Sequence, residues 1–227
     1  TSATVTDRED FVNDHHHHHD HRRRGSGPTS YWMQDPSAVF DALCLSPGAV
    51  FLDLGCGAGE YALHAAKIVG PRGLVYALDS SRVSLDALLD LATHDGLHNV
   101  EVLAADILRP LPLPDECVDV CFAATVLHAY ELDRIAAALF PETRRVLKPG
   151  GHLAVLECKK EDWGFGPPLD ARHTPEQIAT AAHETGFEQI AFAEFQYNYL
   201  IQFSASSGQA SWMGQSFPEP EPEPERG

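Results

Sequence analysis

The sequence predicts one doubly wound α/β domain, and three observations predict it. Apolar stretches of strand length alternate with segments of helical periodicity from Asp35 to about Ser204. Several of those stretches are nearly continuous in apolar residues, as strands covered on both faces must be. The first of them runs straight into a glycine-rich loop that opens a helix.

The elements follow in order. Ala38, Val39, Ala42 and Leu43 recur at helical spacing after Pro36, giving a short leading helix that stops near Ser46-Pro47-Gly48. Val50 to Leu54 reads as the first strand and Glu60 to Val69 as a helix closed by Gly70-Pro-Arg-Gly73. Leu74 to Leu78 is a second strand ending at Asp79. Ser80 or Ser81 caps the next helix, which runs to about Thr93 and ends by Gly96. Val100 to Ala105 is a third strand ending at Asp106. Arg109-Pro-Leu-Pro-Leu-Pro114 is too rich in proline for a helix or a central strand. Val118 to Ala124 is the fourth strand, and residues 131 to 147 form a helix stopped by Lys148-Pro-Gly-Gly151. His152 to Glu157 is the fifth strand, and a helix from Thr174 to Thr185 opens with Thr-Pro-Glu-Gln. Phe187 to Phe195 and Tyr199 to Ser204 close the chain's pattern as a hairpin. The count is seven strands, with helices expected between the first six.

The ends read differently. Residues 1–28 hold a histidine run, three arginines and Gly-Ser-Gly-Pro; residues 207–227 finish in a Pro-Glu repeat. Both are expected to be disordered, leaving residues 29–206 as the folded domain. The histidine run is either a divalent-metal chelator or an expression tag. Net charge is −17, carried mostly between those ends, which disfavours nucleic acid as a partner. No apolar run is long enough for a membrane span. Five cysteines without a CxxC pattern fit a cytoplasmic protein, monomer or homodimer, better than a disulfide scaffold.

The glycine loop carries the chemistry. Asp53-Leu-Gly-Cys-Gly-Ala-Gly-Glu60 lets the backbone turn sharply and approach a ligand. It is not the dinucleotide fingerprint, because Glu60 stands where the third glycine would be. A carboxylate at the helix N-terminus competes with a pyrophosphate for the same dipole end. The ligand is therefore expected to lack phosphates. Asp79, 20 residues after Gly59, is placed to take ribose hydroxyls, and Asp106 to accept from an exocyclic amine. A nucleoside with a cationic tail, S-adenosylmethionine, meets these requirements.

With those residues in place the chain resembles the class I S-adenosylmethionine-dependent methyltransferases, and within them the small-molecule "type 11" branch. The glycine run, Asp79, Asp106, Leu111-Pro-Leu-Pro-Asp-Glu-Cys-Val-Asp-Val120 and Arg145-Val-Leu-Lys-Pro-Gly-Gly151 occur in the family's order across residues 36 to 204. The resemblance implies a Rossmann-like sheet of order 3-2-1-4-5-7-6 with strand 7 antiparallel, and methyl transfer to a small acceptor. It implies a cofactor site from Asp53, Gly55, Cys56, Gly57, Gly59, Asp79, Ser80, Asp106, Ile107 and Ala124. The acceptor side is expected from the family's variable positions: Tyr31, Trp32, Thr125, Glu157, Lys159, Arg172 and Asn198. His128, just past the fourth strand, is either a general base or a histidine packed at the start of the next helix. Phe122-Ala-Ala-Thr-Val-Leu-His128 contains neither of the signatures of base-modifying DNA enzymes. Cys44 and Cys158 leave a metalloid acceptor of the arsenite type open. Further alternatives are a nicotinamide-dependent oxidoreductase, against which Glu60 speaks, and a non-catalytic cofactor-binding module with a metal-binding histidine arm. No metal site is expected in the domain itself.

Overall fold

The computed structural model describes residues 29–206; the histidine arm and the Pro-Glu tail lie outside the described residues. The chain begins with a 3-10 turn, Ser30–Met33, and continues as α1 (Pro36–Leu43), β1 (Val50–Leu54), α2 (Glu60–Val69), β2 (Leu74–Asp79) and α3 (Arg82–His94). Then come β3 (Val100–Ala104), β4 (Val118–Ala124), α4 (Leu132–Val146), β5 (Leu147–Cys158), α5 (Pro175–Glu184), β6 (Phe187–Glu194) and β7 (Asn198–Ala205). The seven strands form one sheet in the order β3-β2-β1-β4-β5-β7-β6. The first five run parallel, and β7 is antiparallel to both β5 and β6.

Strand pleating explains the near-continuous apolar runs. Leu52 and Leu54 pack with Ile135, Leu139 and Phe140 of α4 and Ile178 of α5. Phe51 faces the other way, among Phe40 of α1, Ala62 and Ala65 of α2 and Leu88 of α3. Local signals set the helix starts. Asp35 caps α1, Ser81 caps α3, and Thr174 with Gln177 makes a full capping box on α5.

Three expectations need correction. No helix joins β3 to β4 among the described residues. The proline run crosses as a loop, anchored by buried Leu111 and Leu113 and by Arg145 of α4, whose guanidinium donates to both of their carbonyls. β3 stops at Ala104, so Asp106 lies two residues beyond the strand. Its Oδ1 accepts from the Leu108 amide at 2.9 Å, an aspartate turn that ends the pairing. β5 begins at Leu147, not His152. The helix does end just before Lys148-Pro-Gly-Gly151, at Val146, and that segment forms a bulge inside the strand, with Leu147 opposite Val118 and His152 opposite Val120.

Candidate active site

All five parallel strands deliver their carboxyl ends to one edge, and β7 starts there, with Asn198 opposite Cys158. The loop after β1 folds back over β2: the Gly55 and Cys56 amides both donate to the Leu78 carbonyl. Two glycines are obligatory for this path. Gly55 has φ +72°, and a Cβ would meet Val126 at 2.9 Å. Gly59 has φ +82° at the start of α2, and a Cβ there would run into Leu88 of α3. Gly59 therefore serves the close approach of α2 and α3.

Against this loop lies a cavity of about 340 Å³. Its walls bring together Asp53 of β1 and Gly55, Cys56 and Gly57 of the loop with Ala124 at the end of β4, Thr125 and His128 after it, Cys158 at the end of β5, and Gly166-Pro167. Ser30 and Met33 of the leading turn close it on one side, and Glu60 and Tyr61 of α2 on another. A wider, open hollow of about 420 Å³ lies elsewhere, lined by Asp115, Arg144 and Thr185 among others, and holds none of the expected site residues.

The cofactor side is anionic. Asp53 is only 2% exposed, and among the described residues its Oδ2 has no hydrogen-bond partner. Burial, with the charges of Asp79 and Glu60 adding to it, pushes the Asp53 carboxyl from 3.8 up to about 8, despite a bond from the Ala62 amide. Asp79 Oδ2 accepts from the Gly57 amide at 2.9 Å and Oδ1 from the Ser81 amide at 2.8 Å. A carboxylate offers about four acceptor sites, so two remain for ribose hydroxyls. Glu60 Oε1 takes Trp32 Nε1 at 3.2 Å and Thr29 Oγ1 at 3.3 Å, which ties the leading turn over the loop. A cation without phosphates fits this site: a buried, unpartnered carboxylate faces it, and a Cβ on Gly57 would meet open space. Asp79 is bonded to the loop but stands outside the cavity wall, as do Ser80, which is exposed, and Ile107, which is buried in the core. Asp106 is exposed.

The wall expected to meet the acceptor includes His128. Its Nδ1 lies 3.1 Å from Glu157 Oε2, and Glu157 is fully buried. Glu157 Oε1 accepts from the Leu127 amide at 2.7 Å and the His128 amide at 3.4 Å. Glu157 thus sits behind His128, not on the cavity wall. Thr125 does line the wall, in left-handed backbone (φ +53°) that a β-branched residue rarely adopts, and its hydroxyl donates to Ser30.

Other expected acceptor contacts have structural partners. Arg172, 4% exposed, donates to the carbonyls of Lys159, Glu161, Phe165 and Pro167, so it staples the loop after β5. The Lys159 ammonium pairs with Glu194. Asn198 is buried, with Nδ2 donating to Cys158 Sγ at 3.7 Å and Oδ1 unpartnered among the described residues. Tyr31 stacks edge-on against Tyr61 and bonds His64, and Trp32 stands 63% exposed. Cys44 is on the surface. Cys56 and Cys158 share the cavity, both pushed up by burial, Cys158 to about 11, so both are neutral thiols.

Sequence reasoning missed Ser30, Met33 and Tyr61 as wall residues. The signal was the Ser30-Tyr-Trp-Met33 run, apolar and aromatic in a stretch otherwise read as a lead-in.

Comparison with known proteins places this geometry. A family model described as "Methyltransferase domain" matches residues 45–204. An S-adenosylmethionine-dependent methyltransferase of Aquifex aeolicus is 31% identical, with a TM-score of 0.68 over 75% of this chain and 89% of that one. The [4+2]-cyclase SpnF is 30% identical, with a TM-score of 0.58 over 69% of this chain and 57% of that one. An arsenite methyltransferase of Halobacterium salinarum is 30% identical over 160 residues, 66% of this chain and 40% of the relative. A ubiquinone/menaquinone biosynthesis C-methyltransferase of Bordetella avium is 37% identical over 125 residues, 55% of this chain and 46% of the relative. The chain thus spans less than half the length of these two curated relatives. No helix among the described residues is long and apolar enough to cross a membrane. On the family match, the sheet order and the glycine loop, the chain belongs to the class I S-adenosylmethionine-dependent methyltransferases.

Proposed function

We propose that this chain transfers a methyl group from S-adenosylmethionine to a small-molecule acceptor held against His128. One observation carries the reading: a single cavity joins the anionic cofactor loop to an imidazole backed by a buried carboxylate. When bound, the cofactor supplies a methyl group on a sulfonium, already an activated leaving group. The protein's task is then to bind, align and keep water out. Asp53 and Glu60 offer negative charge to the cationic end, Asp79 takes the ribose, and Asp106 the base edge. His128 and Thr125 hold the acceptor, with Cys158, Gly166 and Pro167 as its walls.

The likeness to an arsenite methyltransferase raises a thiol-bound metalloid as acceptor. The placement of Cys44 on the surface, and the neutral state of Cys56 and Cys158, favour an organic acceptor instead. The likeness to a [4+2]-cyclase makes methyl transfer itself, and not only cofactor binding, the step to test.

The test has two stages. Calorimetry with S-adenosylhomocysteine should show binding that Asp79→Ala weakens tenfold or more, for a charge-assisted bond of roughly 1.5–3 kcal/mol. Incubation with methyl-labelled cofactor and fractionated small-molecule pools should then label an acceptor. Binding of a nicotinamide dinucleotide in place of S-adenosylhomocysteine would overturn the reading. Cofactor binding with no labelled product would leave a binding module.

A further inference from the structure

Four hydrogen bonds converge on the Glu157 carboxylate. Oε1 accepts from the Leu127 and His128 amides, and Oε2 lies 3.4 Å from the Cys158 amide and 3.1 Å from His128 Nδ1. No part of this carboxylate reaches solvent. A buried carboxylate held by amides can only accept, so the imidazole must present Nδ1–H to it. The lone pair is then on Nε2, at the other end of a ring that lines the cavity. The sequence separates the two residues by 29 positions, and the parallel pairing of β4 with β5 brings them together: Ala124 lies opposite Leu156, one residue short of Glu157.

We propose that Glu157 is the positioning residue of a His128 general base, and that the acceptor is accordingly protic, bearing an O–H or N–H on its attacking atom. The acceptor class rests on the methyl-transfer reading; the role of Glu157 does not. The acceptor X–H gives its proton to Nε2 and its electron pair to the new X–CH3 bond. The methyl–sulfur bond breaks with its pair going to sulfur, and the proton stays on an imidazolium beside the Glu157 carboxylate. The products are X–CH3, S-adenosylhomocysteine and one proton on His128. Acceptors that attack through a lone pair with no proton to lose, such as thioethers and tertiary amines, would leave this arrangement without work.

Glu157→Gln separates the possibilities with little change of shape. The Leu127 and His128 amides need an acceptor at the Oε1 position, so the carbonyl oxygen of the glutamine goes there. Its NH2 group then faces Nδ1 and donates to it. That forces the proton onto Nε2, and a protonated Nε2 cannot take another from a neutral acceptor. The same exchange of carboxylate for amide gives the wrong tautomer in serine proteases.

The readout that needs no acceptor is the tautomer of His128, from long-range ¹H–¹⁵N correlation spectra of the ring in cofactor-free protein. The neutral wild type should carry the proton on Nδ1 and Glu157→Gln on Nε2. A wild-type proton on Nε2, or no change in the variant, overturns the positioning role. Should Glu157→Gln fail to fold, His128→Gln leaves the carboxylate and its amide bonds in place and carries the kinetic arm. In that arm, methyl-labelled cofactor is offered a pool of phenols and anilines and, separately, a pool of thioethers and tertiary amines. Wild type should label the first pool, with single-turnover rate falling about 10²–10⁴-fold in either variant. Labelling of the second pool at equal rates in wild type and variants overturns the protic acceptor. Labelling of neither pool defeats the transferase reading and the acceptor class with it, while the tautomer result still decides what Glu157 does.

Discussion

On the β1–β2 side of the cavity, buried carboxylate is left facing inward. On the β5–β7 side, the buried charges of Glu157 and Arg172 are tied to the protein's own backbone. Asp53 has an unpartnered oxygen and two acidic neighbours. Glu157 has three amides and an imidazole, and Arg172 has four carbonyls. An isolated buried charge is costly, so Asp53 keeps its proton to about pH 8, and a cationic ligand would favour its release. The second arrangement needs no ligand charge, and Cys158, Gly166 and Pro167 line the cavity beside it.

Arg172→Lys should have the largest effect and should fall on the acceptor half alone. A guanidinium reaches four carbonyls because its donors are spread over a rigid plane; an ammonium is a point and cannot. The part-buried bonds to the carbonyls of Lys159, Glu161, Phe165 and Pro167 would in part be lost, at a cost of about 1–3 kcal/mol. Thermal unfolding should register that loss, and acceptor KM should rise because Gly166 and Pro167 move. S-adenosylhomocysteine affinity should stay within about twofold, since the glycine loop is untouched. Equal damage to cofactor affinity would erase the division between the halves.

Asp53→Asn should act with opposite signs on stability and binding. The folded carboxyl sits at about 8 against 3.8 for its ordinary value. The folded state therefore holds a proton that the unfolded state has lost, and stability falls as pH rises from about 4 through 8. The amide removes that dependence. Cofactor-free variant and wild type should melt alike near pH 4, and the variant should be increasingly the more stable as pH rises from there to about 8. Affinity for the cationic cofactor should fall about tenfold or more at pH 9. In the wild type it should rise with pH through about 8, as the carboxylate forms; in the variant it should be flat. A wild-type affinity independent of pH would show that Asp53 does not meet the cation.

The same division governs what the sequence disclosed. The glycine loop was legible because backbone geometry demands it: Gly55 and Gly59 occupy left-handed conformations in which a Cβ would collide. The order of strands was legible through family resemblance, although Pro149-Gly150-Gly151, which follows the helix as expected, is also a bulge within β5. On the acceptor half, residue types mark polar groups at the correct edge but do not encode their protein partners: those of Arg172 and Lys159 depend on loop carbonyls and on β6. The bond between His128 and Glu157 was equally out of reach, because it needs the register of β4 against β5.

The smallest effect is expected where the two halves meet, at the leading turn. Trp32 donates to Glu60 Oε1 at 3.2 Å, and Thr29 donates to the same oxygen, so the turn is tied to the first residue of α2. Ser30 reaches across to Thr125 on the acceptor half. Trp32→Phe keeps an aromatic ring against Tyr31, whose centroid is 5.1 Å away, and deletes one bond to a carboxylate. Because the indole is largely exposed, water replaces much of that bond, leaving a net loss of about 0.5–1 kcal/mol. If closure of the turn controls cofactor release, S-adenosylhomocysteine should leave about two- to fivefold faster in stopped-flow displacement, with melting temperature nearly unchanged. Glu60→Gln keeps an oxygen for both donors but removes a charge offered to the cofactor, so release should be faster than in Trp32→Phe. A release rate tenfold faster in Trp32→Phe would mean that the turn is held by this bond alone. An unchanged rate would mean that Tyr31 on Tyr61, and Ser30 on Thr125, hold it without help, so that the acceptor half and the aromatic packing control the closing of the cofactor half.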